Sequence, residues 1–305
     1  MKIVYLGTPD FAVAPLKKLI ENGYEIIAVI TNRDKPVGRK QILTPPPVKV
    51  VAESFGIPVF QYDKIRVEGV EDLKALNPDI MITCAFGQIL SQEILDIPRL
   101  GVVNIHASLL PKYRGASPIH YAILNGEKQT GITIMKTDIG IDTGDILLQK
   151  SLDIKSDEMC GELFERLSNL GAAAICDALP KIIDGTAKFI KQEETLATHT
   201  KIIKKEMALI DWSDTAENIF NKIRAFNPAP VAYCYYEGQP FKIFEAKLLN
   251  INTPVGKIVK ADKELIIGCK NGAISLTKVQ KAGGKPMFIQ DFLRGNKLVV
   301  GEDFN

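Results

Sequence analysis

KIVYLG (2–7) and YEIIAVIT (24–31) are short, β-branched and apolar throughout, the pattern of strands buried on both faces of a parallel sheet. Between them FAVAPLKKLIENG carries apolar positions at helical spacing, opens on Pro9-Asp10 and stops at Asn22-Gly23. PVKVVAESFG with IPVF, then VEDLKALNP with DIMITCAF, repeat this helix–strand beat, and GVVNIH (101–106) adds a further strand. The alternation predicts an α/β fold, a doubly wound and mostly parallel Rossmann-like sheet. Its ligand crevice is expected beyond the C-terminal ends of the strands. GITIMKTD (131–138) and DILLQKSLDI (145–154) read as a hairpin-like pair around IGIDTG, and DEMCGELFERLSNLGAAAICDALPKII as a long closing helix.

The pattern then changes. KQEETLATHTKIIKKEMALIDW is polar, charged and weakly periodic. Beyond it FNKIRAFNPAPVAYCYYEG, PFKIFEAKLL, GKIVKADKELIIGCKNG and AISLTKVQKAGGKP read as short alternating strands broken by Gly and Asn-Gly turns. They predict a smaller, OB-like β-barrel. The expected organisation is a first domain at 1–189, a linker at 190–208 and a barrel domain at 209–305.

Composition narrows the setting. The 46% hydrophobic and 24% charged shares are those of an ordinary globular protein, with no apolar run near the ~20 residues of a membrane span. The chain enters a strand at once, without a basic leader or cleavage site. Five cysteines (84, 160, 176, 234 and 269) form no CxxC pair, and none of the three histidines stands at ligand spacing. Reduced thiols in a cytoplasmic compartment are expected, and no metal site. The net charge of +2 hides an asymmetry: 13 basic against 5 acidic residues within 218–300. That bias suits a polyanionic partner.

The candidate chemistry lies at a strand end, in VNIHASLLPKYRGASP (103–118). Asn104 and His106, two apart on a strand, project to the same side, toward the expected crevice. An amide donor beside an imidazole can stabilise the oxyanion of an attacked carbonyl, although a polar strand end with satisfied side chains has the same spelling. TDIGIDTGD offers three acids; its spacing is not that of a calcium loop, and Asx turns suit Asp138 and Asp145. Asp142, if it reaches His106, would orient the ring and stabilise its charged form. Ser108-Leu109-Leu110-Pro111 either packs inward or walls an apolar pocket. LGTPDFA has one glycine where a dinucleotide loop needs three. NRDKPVGRKQILTPPP (32–47) is a long basic loop able to fold over a phosphate backbone or simply to stay solvated, and KIIKK (201–205) has the same two readings. His120 reads as structural, and His199 has no assigned role.

VNIHASLLPKYRGASPI followed by GIDTGDIL resembles the folate-dependent formyltransferases, whose signature is Asn-x-His-x-Ser-Leu-Leu-Pro and a later Asp. LGTPDFAVAPLKKL, DKPVGRKQILTPPPVK, TKIIKKEMALIDW and RAFNPAPVAY extend the resemblance along the chain, to the methionyl-tRNA formyltransferase family. The resemblance implies formyl transfer from 10-formyl-tetrahydrofolate, a co-substrate, to the α-amino group of methionyl-initiator-tRNA, without a metal. It places the catalytic trio on Asn104, His106 and Asp142 and folate contacts on Ser108, Leu109, Leu110 and Pro111. The tRNA would meet Arg39 and Lys40 in the basic loop, Lys204 and Lys205 further on, and the basic barrel. A monomer is the expected state. Two alternatives carry the same trio less economically: a formyltransferase for an amino sugar, which has no need of the basic loop, and a folate- or RNA-binding protein with a relict site.

Overall fold

The computed structural model describes residues 1–38 and 40–304. By internal contacts the chain falls into two units: residues 1–118, 130–152 and 164–200 in one, and 119–129, 153–163 and 201 onward in the other.

The first unit is built on a seven-stranded sheet. Its early elements are β1 (Lys2–Gly7), α1 (Val13–Glu21), β2 (Glu25–Thr31), the short hairpin β3 (Lys35–Val37) and β4 (Ile42–Thr44), α2 (Pro47–Ser54) and β5 (Val59–Gln61). There follow α3 (Ile65–Glu68), α4 (Val70–Leu76), β6 (Ile80–Cys84), α5 (Gln92–Leu95), β7 (Val102–His106) and β8 (Arg114–Gly115). The rest comprises β9 (Gln129–Lys136), β10 (Ile146–Asp153), most of α7 (Cys160–Ile183) and β11 (His199–Thr200), whereas α6 (Pro118–Leu124), which precedes β9, belongs to the second unit but for its first residue. Strand order is β10-β9-β7-β6-β1-β2-β5. Five of the strands run parallel and β9 runs antiparallel to β7.

The apolar strands form because each is covered on both faces: Ile3, Val4, Tyr5 and Leu6 of β1 and Ile80, Met81 and Ile82 of β6 are fully buried. Each such side chain is worth roughly 1.5–3 kcal/mol of burial. The chain winds outward from β1 through β2 to β5, then returns to lay β6 on the other side of β1. The reversal opens the crevice between the C-terminal ends of β1 and β6. Helix α1 stops where expected: Asn22 caps it and Gly23 turns off at φ +75°. Within the basic stretch 32–47, Lys35–Val37 pairs antiparallel with Ile42–Thr44.

The second unit centres on an antiparallel sheet of β12 (Ala232–Tyr236), β13 (Gln239–Leu249), β14 (Ile258–Ala261), β15 (Leu265–Cys269) and β16 (Gly272–Gln280), ordered β12-β13-β16-β15-β14. Strand β17 (Met287–Phe288) pairs with β16. The expectation of strands across FNKIRAFNP is corrected here: Ala216–Ala225 is a helix, α8, and Ile289–Gly295 is another, α9. The hydroxyl of Thr215 caps α8 by accepting the Asn218 N–H at 3.1 Å. Ala216, Ile219 and Ile223 then share one buried face, packed with Phe241, Ile243 and Leu276 of the sheet. Phe292 of α9 closes the same core, its ring 5.1 Å from that of Phe241. Among the described residues no helix is long and apolar enough to cross a membrane.

Candidate active site

Strand β7 delivers Asn104 and His106 to the C-terminal edge of the sheet. Thr83 of β6 stands beside Asn104 in register, and its Oγ1 donates to Asn104 Oδ1 at 2.9 Å. With the carbonyl end so engaged, the amide turns its Nδ2 outward, 3.5 Å from Asp142 Oδ1. The His106 ring is 6% exposed. Its Nε2 lies 3.0 Å from the Tyr113 carbonyl oxygen, which only accepts, so this nitrogen carries a proton. Nδ1 faces Asp142 Oδ2 across 3.6 Å, longer than a hydrogen bond.

Asp142 arrives from the loop between β9 and β10. Its backbone is left-handed at φ +54°, a conformation aspartate tolerates better than most residues. Its Oδ2 accepts the Gly115 N–H at 2.7 Å. Gly115 is required twice over: φ is +97°, and a Cβ there would lie 2.8 Å from the Thr200 carbonyl oxygen across the β8–β11 pair. Gly144 is required by space alone, since a Cβ would meet the Lys136 carbonyl oxygen at 1.7 Å. Asp138 makes the expected Asx turn, accepting the Gly140 N–H at 3.0 Å and the Thr143 hydroxyl at 2.7 Å.

The structure therefore brings Asn104, His106 and Asp142 together. The Ser108–Pro111 stretch follows directly. Ser108 is fully buried, its hydroxyl donating to the Lys112 carbonyl at 2.6 Å, and Leu110 is 3% exposed. Leu109, against Gly131 of β9, and Pro111 are partly buried. Thr133 ties the stretch to β9 by donating to the Ser108 carbonyl at 2.6 Å and accepting the Leu110 N–H at 3.1 Å. Arg39 lies outside the described residues. Lys40 is exposed in the turn of the β3–β4 hairpin, whose Val37, Ile42 and Leu43 are also exposed. The hairpin is rooted by Asp34, which accepts from Gln61 at 2.8 Å and from Lys49 at 2.9 Å. The Gln61 hydrogen bond, then Lys49, hold the Asp34 carboxyl below the usual range. Lys204 and Lys205 are exposed in the second unit.

Other nucleophiles are disarmed. Burial pushes the Cys84 thiol, at the end of β6, up to about 12, which leaves almost no thiolate at neutral pH. His120, packed near Phe226, has its pKa lowered by burial. Among the described residues no three His, Cys, Asp or Glu side chains cluster as a metal site. Sequence reasoning missed Thr83 and Gly115. Thr83 had a signal, as a hydroxyl in the otherwise apolar run IMITC (80–84).

An amide, an imidazole and a carboxylate converge on one point of a doubly wound sheet, with no activated thiol beside them. This is equipment for acyl transfer to a nucleophile that needs no activation of its own. The chain belongs to the formyl transferase family: residues 1–179 match the formyl transferase domain and 202–297 the formyl transferase C-terminal domain. Relatives along nearly its whole length are methionyl-tRNA formyltransferases. That of Geobacter metallireducens is 45% identical over 99% of this chain and 97% of its own, and that of Bacillus subtilis 46% over 99% and 96%. A similar fold is seen in WlaRD, a sugar 3N-formyl transferase solved in the presence of dTDP and 5-N-formyl-THF. The TM-score is 0.70 at 25% identity, covering 93% of this chain and 99% of that one.

Proposed function

We propose that the protein transfers a formyl group from 10-formyl-tetrahydrofolate to the α-amino group of methionyl-initiator-tRNA, yielding N-formylmethionyl-tRNA and tetrahydrofolate for translation initiation. The observation that carries the reading is the meeting of Asn104, His106 and Asp142 at the end of β7.

The chemistry follows from those groups. The unprotonated amine of an aminoacyl ester is already a nucleophile, and the donor's nitrogen, conjugated with an aromatic ring, leaves more readily than an ordinary amide nitrogen. The amine lone pair forms the new C–N bond as the carbonyl π pair moves onto oxygen. Asn104 Nδ2 and a protonated His106 stabilise that oxyanion, and one such donor is worth roughly 3 kcal/mol. The 3.6 Å between Nδ1 and Asp142 leaves that edge of the ring free to share its proton with the substrate. Asp142 balances the imidazolium and helps carry the proton lost by the amine to the departing nitrogen, directly or through water. The bond from formyl carbon to that nitrogen then breaks. Ser108 to Pro111 contact the folate, through backbone and the partly buried Leu109 and Pro111.

The same reading assigns catalysis to 1–189, connection to 190–208 and RNA binding to 209–305, with Arg39, Lys40, Lys204 and Lys205 on the tRNA. It takes one copy of the chain as the working unit. A cytoplasmic setting suits five cysteines held as free thiols. The test is formyl transfer from 10-formyl-tetrahydrofolate to initiator methionyl-tRNA, elongator methionyl-tRNA and an amino-sugar nucleotide. Selective formylation of the initiator is expected, and His106→Ala is expected to lose roughly 100- to 1,000-fold in kcat. Transfer to the amino sugar alone would overturn the substrate. Near-normal turnover of His106→Ala at saturating substrates would overturn the role of the trio.

A further inference from the structure

Asp142 is held from outside the signature motifs. Gln192 lies between α7 and β11, and its partly buried carboxamide has a partner at every polar position that matters. Nε2 donates to the carbonyl oxygens of Asp142 and Gly144, both at 2.8 Å. Oε1 accepts from Arg114 Nε at 3.0 Å. Arg114 is 1% exposed, and its remaining two nitrogens grip Glu194 at 2.8 and 2.9 Å. Both ends of the carboxamide are thereby specified, since the guanidinium only donates and the two carbonyls only accept.

The two stapled carbonyls are that of Asp142 itself and that of Gly144, two residues on, so the staple grips the backbone directly after the side chain whose direction decides the site. At φ +54° the Asp142 backbone is in a sparsely occupied conformation that its surroundings must hold. Gly115 fixes one carboxylate oxygen, and Gln192 fixes the peptide frame from which the side chain departs. We infer that Gln192 is a positioning residue for formyl transfer. It staples the Asp142–Gly144 backbone so that the Asp142 carboxylate faces His106, while the Arg114–Glu194 pair sets the staple's own orientation. This rests on Asp142 acting in the trio as proposed above.

Gln192→Glu tests the staple directly in the full chain. It keeps the shape and the bond to Arg114 but, ionised, repels the two carbonyls. We expect kcat for formylation to fall roughly 10- to 100-fold, the scale of a small misplacement of a reacting group. KM for methionyl-tRNA and for the formyl donor should stay within about threefold. The ratio of variant to parent kcat should rise as pH is lowered, because a protonated carboxyl regains one donor for the loop. The titratable and charged groups around it are Arg114, Glu194 and Asp142, with His199 facing Glu194. Gln192→Ala, which leaves the Arg114–Glu194 pair in place, should show a similar kcat loss without the pH rise. Asp142→Asn should be impaired by itself, and adding Gln192→Glu to it should cost little more. All rates are taken well below each variant's melting midpoint, so loss of fold does not enter. Parental kcat in both Gln192 variants beside an impaired Asp142→Asn would overturn the staple. So would a loss in Gln192→Glu that ignores pH and appears mainly in KM. Parental turnover in Asp142→Asn would instead overturn the trio itself.

Discussion

At Asn104 a neighbour's hydroxyl and the Asp142 carboxylate together set which end of the amide faces out. A primary amide has a donor end and an acceptor end of almost the same shape, and only the donor end stabilises an oxyanion. Thr83 favours one choice by donating to Oδ1 at 2.9 Å, with the Val103 carbonyl as a longer alternative at 3.3 Å, and the Asp142 carboxylate, which only accepts, faces Nδ2 at 3.5 Å. Thr83→Val keeps the volume and removes that proton, so only Asp142 is left to orient the amide and the Asn104 oxygen faces the oxyanion more often. A net hydrogen bond of about 0.5–1.5 kcal/mol corresponds to roughly 2- to 13-fold in kcat, with KM little changed. Thr83→Ser should recover most of the loss. Steady-state kinetics on the three proteins decides it, and equal kcat in parent and Thr83→Val would show that the amide is oriented by something else. Asn104 and His106 were legible in sequence because strand alternation is local: i and i+2 share a side whatever the partner strand. Thr83 and Gln192 act across 21 and 50 positions of chain, respectively, and no local pattern encodes which residue will arrive there.

Elements show the same divide between local and distant causes. The parallel strands and α1 could be read because burial on both faces and a capped apolar stripe are written in consecutive residues. Helix α8 was equally written, in Thr215 followed by Ala216, Ile219 and Ile223, but lay in a stretch crowded with turn residues and β-branched neighbours. The β3–β4 hairpin was hidden because its exposed strands, Lys35–Val37 and Ile42–Thr44, bury too little to show a period. The loop carrying Asp142 depends on contact with backbone far away in the chain. Gly144→Ala would drive a methyl into the Lys136 carbonyl, and backbone on both sides gives the clash nowhere to relax. We expect a stability loss of about 3 kcal/mol or more, seen as a lower denaturation midpoint, together with loss of formylation as Asp142 is displaced. A parental midpoint would mean that the loop relaxes freely, and that Asp142 is positioned less strictly than its hydrogen bonds imply.

For the molecule as a whole, a net charge of +2 is too small to steer a polyanion, so recognition of tRNA has to come from where the charge sits. Many surface cations are already occupied. Lys74 is tied to Glu71 and Glu93, Lys260 to Glu264, and Arg294 to Asp291. Lys40, Lys204 and Lys205 are exposed, and Lys40 sits on a hairpin rooted by the Asp34–Lys49 pair, which limits the order the loop must gain on binding. Each cation that neutralises a phosphate releases condensed counterions and adds roughly 0.7–0.9 to the slope of log affinity against log salt. Lys40→Ala should therefore raise KM for methionyl-tRNA and flatten its salt dependence by about that amount, while kcat at saturation stays near the parental value. Lys204→Ala and Lys205→Ala should each do the same if they grip the same RNA. Lys74→Ala serves as the control, since a lysine bound between two glutamates neutralises no phosphate, releases no counterions and should leave the slope unchanged. The comparison is a set of KM values for initiator methionyl-tRNA across a salt series. Slopes for Lys40→Ala and Lys74→Ala that both match the parent would remove the hairpin from the RNA interface and leave the catalytic trio untouched.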